Sequence, residues 1–103
     1  MNDQIEVLVL LEITGLKDKE RFEKHVKREG FIPVEGETFV YTAKSTTTLF
    51  STKAYILEVF KVALQKQDFS GKANLVFLLN ETPYPAYYYD KQTKYFELVK
   101  EEK

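Results

Sequence analysis

Two apolar runs constrain this chain more than anything else in it: Ile5 to Ile13 and Asn74 to Leu79. In the first, Ile5, Val7, Val9, Leu11 and Ile13 recur with the period of two that puts side chains on one face of a strand, while Leu8 and Leu10 fill the middle of the opposite face. Such a strand is expected to be covered on both sides near its centre, and NLVFLL reads the same way. A fold that contains two of them is expected to place both in the interior of a sheet.

The remaining segments supply the rest of that fold. KDKERFEKHVKRE reads as a helix with Asp18 as N-cap, Gly30 just past its end, and Phe22 and Val26 as its chief anchors. FIPVEGETFVYTAK reads as a hairpin with arms Phe31–Val34 and Thr38–Thr42, bent at Glu35, Gly36 and Glu37; Pro33 makes the first arm an edge strand. A hydroxyl-rich stretch, Ser45 to Thr48 with Ser51 and Thr52, offers N-caps for a long helix reaching Gln67. Its expected apolar stripe is Leu49, Phe50, Ile56, Leu57, Phe60, Ala63 and Leu64, with a second stripe at Tyr55, Val59 and Val62. After Pro83 and Pro85, AYYYD and KYFEL are the arms of a terminal hairpin around Lys91, Gln92 and Thr93.

The order β, α, β, β, α, β is the split βαβ arrangement, so the expected class is α+β, ferredoxin-like, with an additional C-terminal hairpin. In that arrangement the two apolar strands lie side by side, and Leu8, Leu10 and one set from the second strand face away from the helices. Either the terminal hairpin or a second copy of the chain is expected to cover them, because a large uncovered apolar face is uncommon on a monomer. A homodimer is the expectation that also accounts for the second stripe on the long helix.

Composition narrows the function classes. The chain has 103 residues, read as a single domain over 1–103, with 44% hydrophobic and 30% charged residues, the balance of an ordinary globular protein. A formal net charge of −1 gives no global polycation to hold nucleic acid or an anionic membrane. The absence of cysteine removes disulfides and thiolate chemistry and fits a reducing cytoplasm. Glu6 and Glu12 interrupt the first apolar run, which is also too short to span a bilayer, so a cytoplasmic protein without membrane attachment is expected.

Nothing in the chain spells catalysis. Its four glycines form no dinucleotide or phosphate-loop fingerprint, and its one histidine, His25, has only Glu29 a helical turn away as a companion, short of the three protein ligands of a catalytic zinc. No catalytic residue, metal or cofactor is assigned. The run Lys44 to Lys53 is the candidate anion site: Lys44, Thr46, Thr47 and Lys53 stand where a helix amino terminus exposes free N–H groups, although capping alone favours the same residue types. Residues 17–29 carry six basic and four acidic side chains, which makes the helical layer mildly positive.

Five of the seven tyrosines fall between Tyr84 and Tyr95. Pairing Tyr89 with Lys94 would set Tyr87 opposite Phe96 and Tyr88 opposite Tyr95, with Tyr87, Tyr89, Phe96 and Leu98 on the core side. Tyr88 and Tyr95, with Tyr84 in its extended Pro-Tyr-Pro segment, are the candidate partner-binding residues, since a tyrosine ring contributes contact area while its hydroxyl stays hydrated. The leading expectation is a non-enzymatic binding or regulatory module acting through protein–protein contact. The alternative is a nucleic-acid-binding protein or metal-dependent nuclease. Glu12, after the first strand, together with the order of elements, resembles the small CRISPR-associated ferredoxin-like nucleases, in which an acidic residue at that place binds a metal at a dimer interface; the aspartate usual there is missing.

Overall fold

The computed structural model describes residues 4–99. It is an α+β fold with seven strands in one sheet and two helices. The elements are β1 (Ile5–Thr14), α1 (Lys19–Arg28), β2 (Ile32–Pro33), β3 (Val40–Ser45), α2 (Leu49–Gln65), β4 (Lys72–Leu79), β5 (Thr82–Pro83), β6 (Tyr87–Asp90) and β7 (Tyr95–Leu98). The sheet runs β2-β3-β1-β4-β6-β7, with β5 also on β4, and every pairing is antiparallel.

The two apolar strands are neighbours in the middle of the sheet, with Leu8 opposite Leu78 and Leu10 opposite Val76. Their alternate residues divide cleanly. Ile5, Val7, Val9 and Leu11 from β1 and Ala73, Leu75, Phe77 and Leu79 from β4 are buried under the helices. Phe60 of α2 is the hub of that layer: its ring sits 6.0 Å from Phe22, 5.1 Å from Phe31 and 5.7 Å from Tyr41, centroid to centroid. Tyr41 is fully buried, and its hydroxyl donates to Glu23 Oε2 at 2.8 Å, which resolves the polar atom that burial would otherwise strand.

Both helices begin and end for local reasons. Asp18 caps α1 by accepting from the Arg21 N–H, as expected. Gly30, at φ +104°, closes it in a Schellman turn, with Phe31 N–H donating to the Val26 carbonyl and Gly30 N–H to that of Lys27. In α2 the cap is Thr48, whose hydroxyl accepts from Ser51 N–H, so the helix starts at Leu49. Its far end repeats the Schellman closure with Asp68 at φ +50° in the place usually taken by glycine, and Phe69 is carried into the core.

Several expectations need correction. Leu49 and Phe50 do not belong to the buried stripe of α2: Phe50 is 77% exposed, because the helix meets the sheet only from Thr52 onward, through Thr52, Ile56, Val59, Phe60, Ala63 and Leu64. Nor is there a spare second stripe. Val59 is core, and Tyr55 stacks on Phe31 with its hydroxyl 2.9 Å from both the carbonyl and Oε1 of Glu29. The expected first hairpin shrinks to β2 and β3 joined by a longer loop, since Phe39 takes φ +59° and gives its carbonyl to Leu11 N–H; β2 is nevertheless an edge strand, as Pro33 required.

The largest correction concerns the carboxy-terminal third. A two-residue turn at Asn80-Glu81, both at positive φ, sends the chain back along β4 as β5. Asn80 earns its place by clasping β1: its side-chain oxygen accepts from Glu6 N–H, and its own N–H donates to the Glu6 carbonyl. The proline segment then leaves the edge of β4 and returns as β6, so the outer edge of β4 is shared, Leu78 and Leu79 with β5, Asn74 and Leu75 with β6. The terminal hairpin therefore widens the sheet and does not fold over its helix-free face.

Candidate functional site

The face of the sheet away from the helices is the most distinctive surface. Along β1 it carries Glu6, Leu8, Leu10 and Glu12; beside them stand Lys44, Thr42 and Val40 from β3 and Leu78, Val76 and Asn74 from β4. The register places Leu8, Leu10, Val40, Val76 and Leu78 as one contiguous apolar band across three strands. Ile32, opposite Thr42, and Pro83, opposite Leu78, extend the band to both sides. Leu10 is 36% exposed and Ile32 48%, values reached by side chains shielded only by neighbours on their own sheet. Polar residues close the two ends: Lys44 opposite Glu6 at one, Glu12 opposite Asn74 at the other.

The tyrosines divide between the two faces. Tyr87 and Tyr89 are buried on the helical side, where Tyr87 stacks against Phe77 and Tyr89 meets Phe69 and Phe96 edge-on. Tyr88 is 40% exposed on the open face, beside Asn74 of β4. The expected hairpin register is displaced by two: Asp90 pairs with Tyr95, Tyr89 with Phe96, Tyr88 with Glu97 and Tyr87 with Leu98. Asp90 sets this register, because its Oδ1 accepts from Gln92 and Thr93 N–H and its carbonyl from Lys94 N–H, with Lys94 at φ +65°. Tyr95 is consequently not opposite Tyr88. Its ring lies 4.6 Å from Lys61 Nζ, so α2 engages it at the sheet margin, while Gln65 of the same helix donates to the Lys94 carbonyl. Tyr84 is half-buried and stacks on Phe77 at 5.4 Å, which makes it part of the core's rim. Of the three candidate contact tyrosines, Tyr88 alone belongs to the open face.

The hydroxyl run at the start of α2 lines a cleft of about 400 Å³ with Val7, Phe31, Ala43, Tyr55 and Ile56. Lys44, Thr46 and Thr47 are on its wall, and Lys53 is not. The hydroxyls satisfy one another: Ser45 Oγ lies 2.6 Å from Thr52 Oγ1 and 3.2 Å from Thr47 Oγ1, and Thr52 donates to the Thr48 carbonyl. Of the residues that sequence assigned to an anion site, Thr47 joins this hydroxyl network with Ser45 and Thr52, next to the Thr48 cap.

A second groove lies between α1 and α2, about 490 Å³ in volume, lined by Arg21, Lys24, His25, Arg28, Ala63, Lys66 and Gln67. No carboxylate is among those residues. Its base is fixed by Gln67, whose side chain accepts from Asp18 N–H at 3.2 Å and donates to the Asp18 carbonyl at 2.7 Å, locking the end of α2 to the start of α1. Lys66 Nζ stands 3.4 Å from His25 Nδ1. Burial, and then the Lys66 charge, lower the His25 pKa from its ordinary value, against a smaller opposing pull from Glu29. The neutral ring can therefore accept from the ammonium. His25 and Glu29 do not converge on a common point, since Glu29 turns to Tyr55 and His25 to Lys66.

Sequence reading noted the positive balance of the helical layer but missed this groove, because no spacing along the chain says that Lys66 will stand over the Arg21, Lys24 and Arg28 face of another helix. Among the described residues no three His, Asp or Glu side chains gather as a metal site, and Glu12 has Asn74 as its cross-strand neighbour. No helix among them is long and apolar enough to cross a membrane. No family model, curated protein or solved structure matches the chain.

Proposed function

We propose that this chain is a non-enzymatic binding module of the ferredoxin-like, split βαβ type, acting in the cytoplasm by protein–protein contact, and that its first partner is a second copy of itself. The strand order β2-β3-β1-β4 with two helices on one face supports the fold assignment, with β5 and the β6–β7 hairpin as additions to the outer edge of β4. The observation that carries the functional reading is the apolar band Leu8, Leu10, Val40, Val76 and Leu78, to which the chain's own hairpin contributes no cover.

Self-pairing lets one apolar band cover an identical one of the same width. Lys44 stands beside Glu6 at one end and Glu12 at the other. Two copies packed face to face about a twofold axis across the strands bring the lysine end of each toward the glutamate end of the other, while the apolar bands meet at the centre. Tyr88 and Ile32 then form the rim. Sedimentation equilibrium is the test. A concentration-dependent dimer that Leu10→Lys converts to a folded monomer supports the reading, and a strict monomer at high concentration sinks it.

The second reading, nucleic-acid binding through the helical layer, is favoured by the basic groove between α1 and α2. That groove has no aromatic ring among its lining residues, so it offers no platform on which a base could stack.

A further inference from the structure

The basic groove is on the opposite side of the molecule from the apolar band and is not needed for self-pairing. Arg21, Lys24 and Arg28 follow one another at i, i+3 and i+7 along α1, a row about 10 Å long at 1.5 Å per residue. Lys66, the C-cap of α2, faces this row, and Ala63, too small to fill the space between the helices, leaves the groove open. The chain as a whole has a net charge of −1, yet here four permanent cations and a histidine converge without a carboxylate in the lining. Among the described residues the one salt bridge is Lys61 with Glu58, which lies outside the groove. Concentrated like charge opposes folding, and an anion that binds the folded state offsets it.

We propose that this groove binds a small ligand carrying two or more phosphate groups, with Arg21 and Arg28 gripping them through paired N–H donors and Lys24 and Lys66 supplying the remaining charge. Guanidinium suits phosphate because its planar fork meets two oxygens at once, and ammonium serves as a point charge. A single phosphate would leave part of the row unengaged. The absence of a stacking ring selects against a ligand recognised through a base. The bidentate clasp of Gln67 on Asp18 holds the two helices in register before any ligand arrives, so little ordering is needed on binding.

His25 makes the site report on its own occupancy. The groups facing it are Lys66 from α2 and Arg28 and Glu29 from its own helix, with Arg21 and Lys24 along the same groove. In the free protein Lys66 and burial keep the ring neutral to a lower pH than usual. An anion in the groove screens those cations and favours the imidazolium, so binding takes up a proton and strengthens as pH falls through the range in which the ring titrates.

The experiment is calorimetric titration of the full chain with tripolyphosphate at low salt, beside orthophosphate and a short single-stranded RNA. Tripolyphosphate should bind, orthophosphate much more weakly, and Arg28→Ala and Lys66→Ala should each weaken binding by about tenfold or more. The His25 ring proton resonance should titrate at higher pH when tripolyphosphate is present. Leu10→Lys, on the far face, should leave this binding unchanged, which separates the site from self-association. No binding by the folded wild-type chain, equal binding by the two groove variants, a stationary His25 titration, or tighter binding of RNA than of tripolyphosphate would each overturn the proposal. Arg28 and Lys66 are both exposed, so circular dichroism is expected to show the variants folded.

Discussion

The two faces of the sheet are built from the same strands and nearly the same residue types, yet they do different things. On the covered face, Val7, Val9, Leu75 and Phe77 are buried against Phe22, Ile56 and Phe60. On the open face, Leu8 stands opposite Leu78 and Leu10 opposite Val76, with no helix packed over them among the described residues. A hydrophobic residue adds stability in proportion to the surface it removes from water, so the covered face holds the fold together while the open face keeps apolar surface that is not fully buried. Hydrophobicity alone does not distinguish core from contact surface; what packs against it does.

The strongest way to break that comparison is a pair of substitutions, one per face. Phe60→Ala removes the ring on which Phe22, Phe31 and Tyr41 converge and should lose about 3–5 kcal/mol in urea unfolding. Tyr88→Ser, on the open face, should stay within about 0.5 kcal/mol of the parent in the monomer. Comparable losses from the two would mean that the open face is core.

Tyr41 sharpens the comparison chemically. Burial first, then its hydrogen bond to Glu23 and the Glu23 charge, raise its pKa far above the ordinary tyrosine value. A group whose pKa is raised in the folded state stabilises it below the unfolded-state pKa and ceases to do so above it, so stability should fall as pH rises past about 10. Tyr41→Phe should cost about 1–2 kcal/mol at neutral pH for the lost charge-assisted bond, and should flatten the alkaline limb followed by thermal melting.

Smaller effects come from the turn that keeps β5 on the edge of β4. Glu81 sits at φ +68°, a conformation glycine takes without strain, so Glu81→Gly should raise stability by about 1 kcal/mol while leaving self-association intact. The smallest effect belongs to His25. Its pKa is lowered on folding, so the native state binds a proton less readily than the unfolded chain, and stability should decline slightly as pH falls below about 6.5. His25→Asn should remove that decline in a pH series of melting temperatures.

How far the chain could be read in advance varies by feature. The faces of Tyr87, Tyr88 and Tyr89 were legible although the register was not, whereas Leu98, expected on the core side, is 50% exposed. The observed pairing differs from the expected one by two residues, and because strand side chains alternate with period two, an even displacement leaves Tyr87 and Tyr89 on the core side. The register itself depended on the Asp90 turn, whose hydrogen bonds are specific to one geometry. Phe50 was misplaced because helical periodicity tells which residues share a stripe, and cannot tell where along the helix the sheet stops. At the start of α2, hydroxyls that can cap a helix can also bond one another, and proximity in space decides which.

The amino-acid sequence by itself determined the two double-faced strands, the caps at Asp18 and Gly30, the edge position of Pro33 and the separation of Tyr87 and Tyr89 from Tyr88, since each of these follows from local geometry or from periodicity along one segment. Only the tertiary structure decided that the terminal hairpin extends the sheet and leaves the apolar band open, and that Lys66 joins three cations of another helix around one groove. Both outcomes depend on where separate elements meet, and short-range propensities do not encode that.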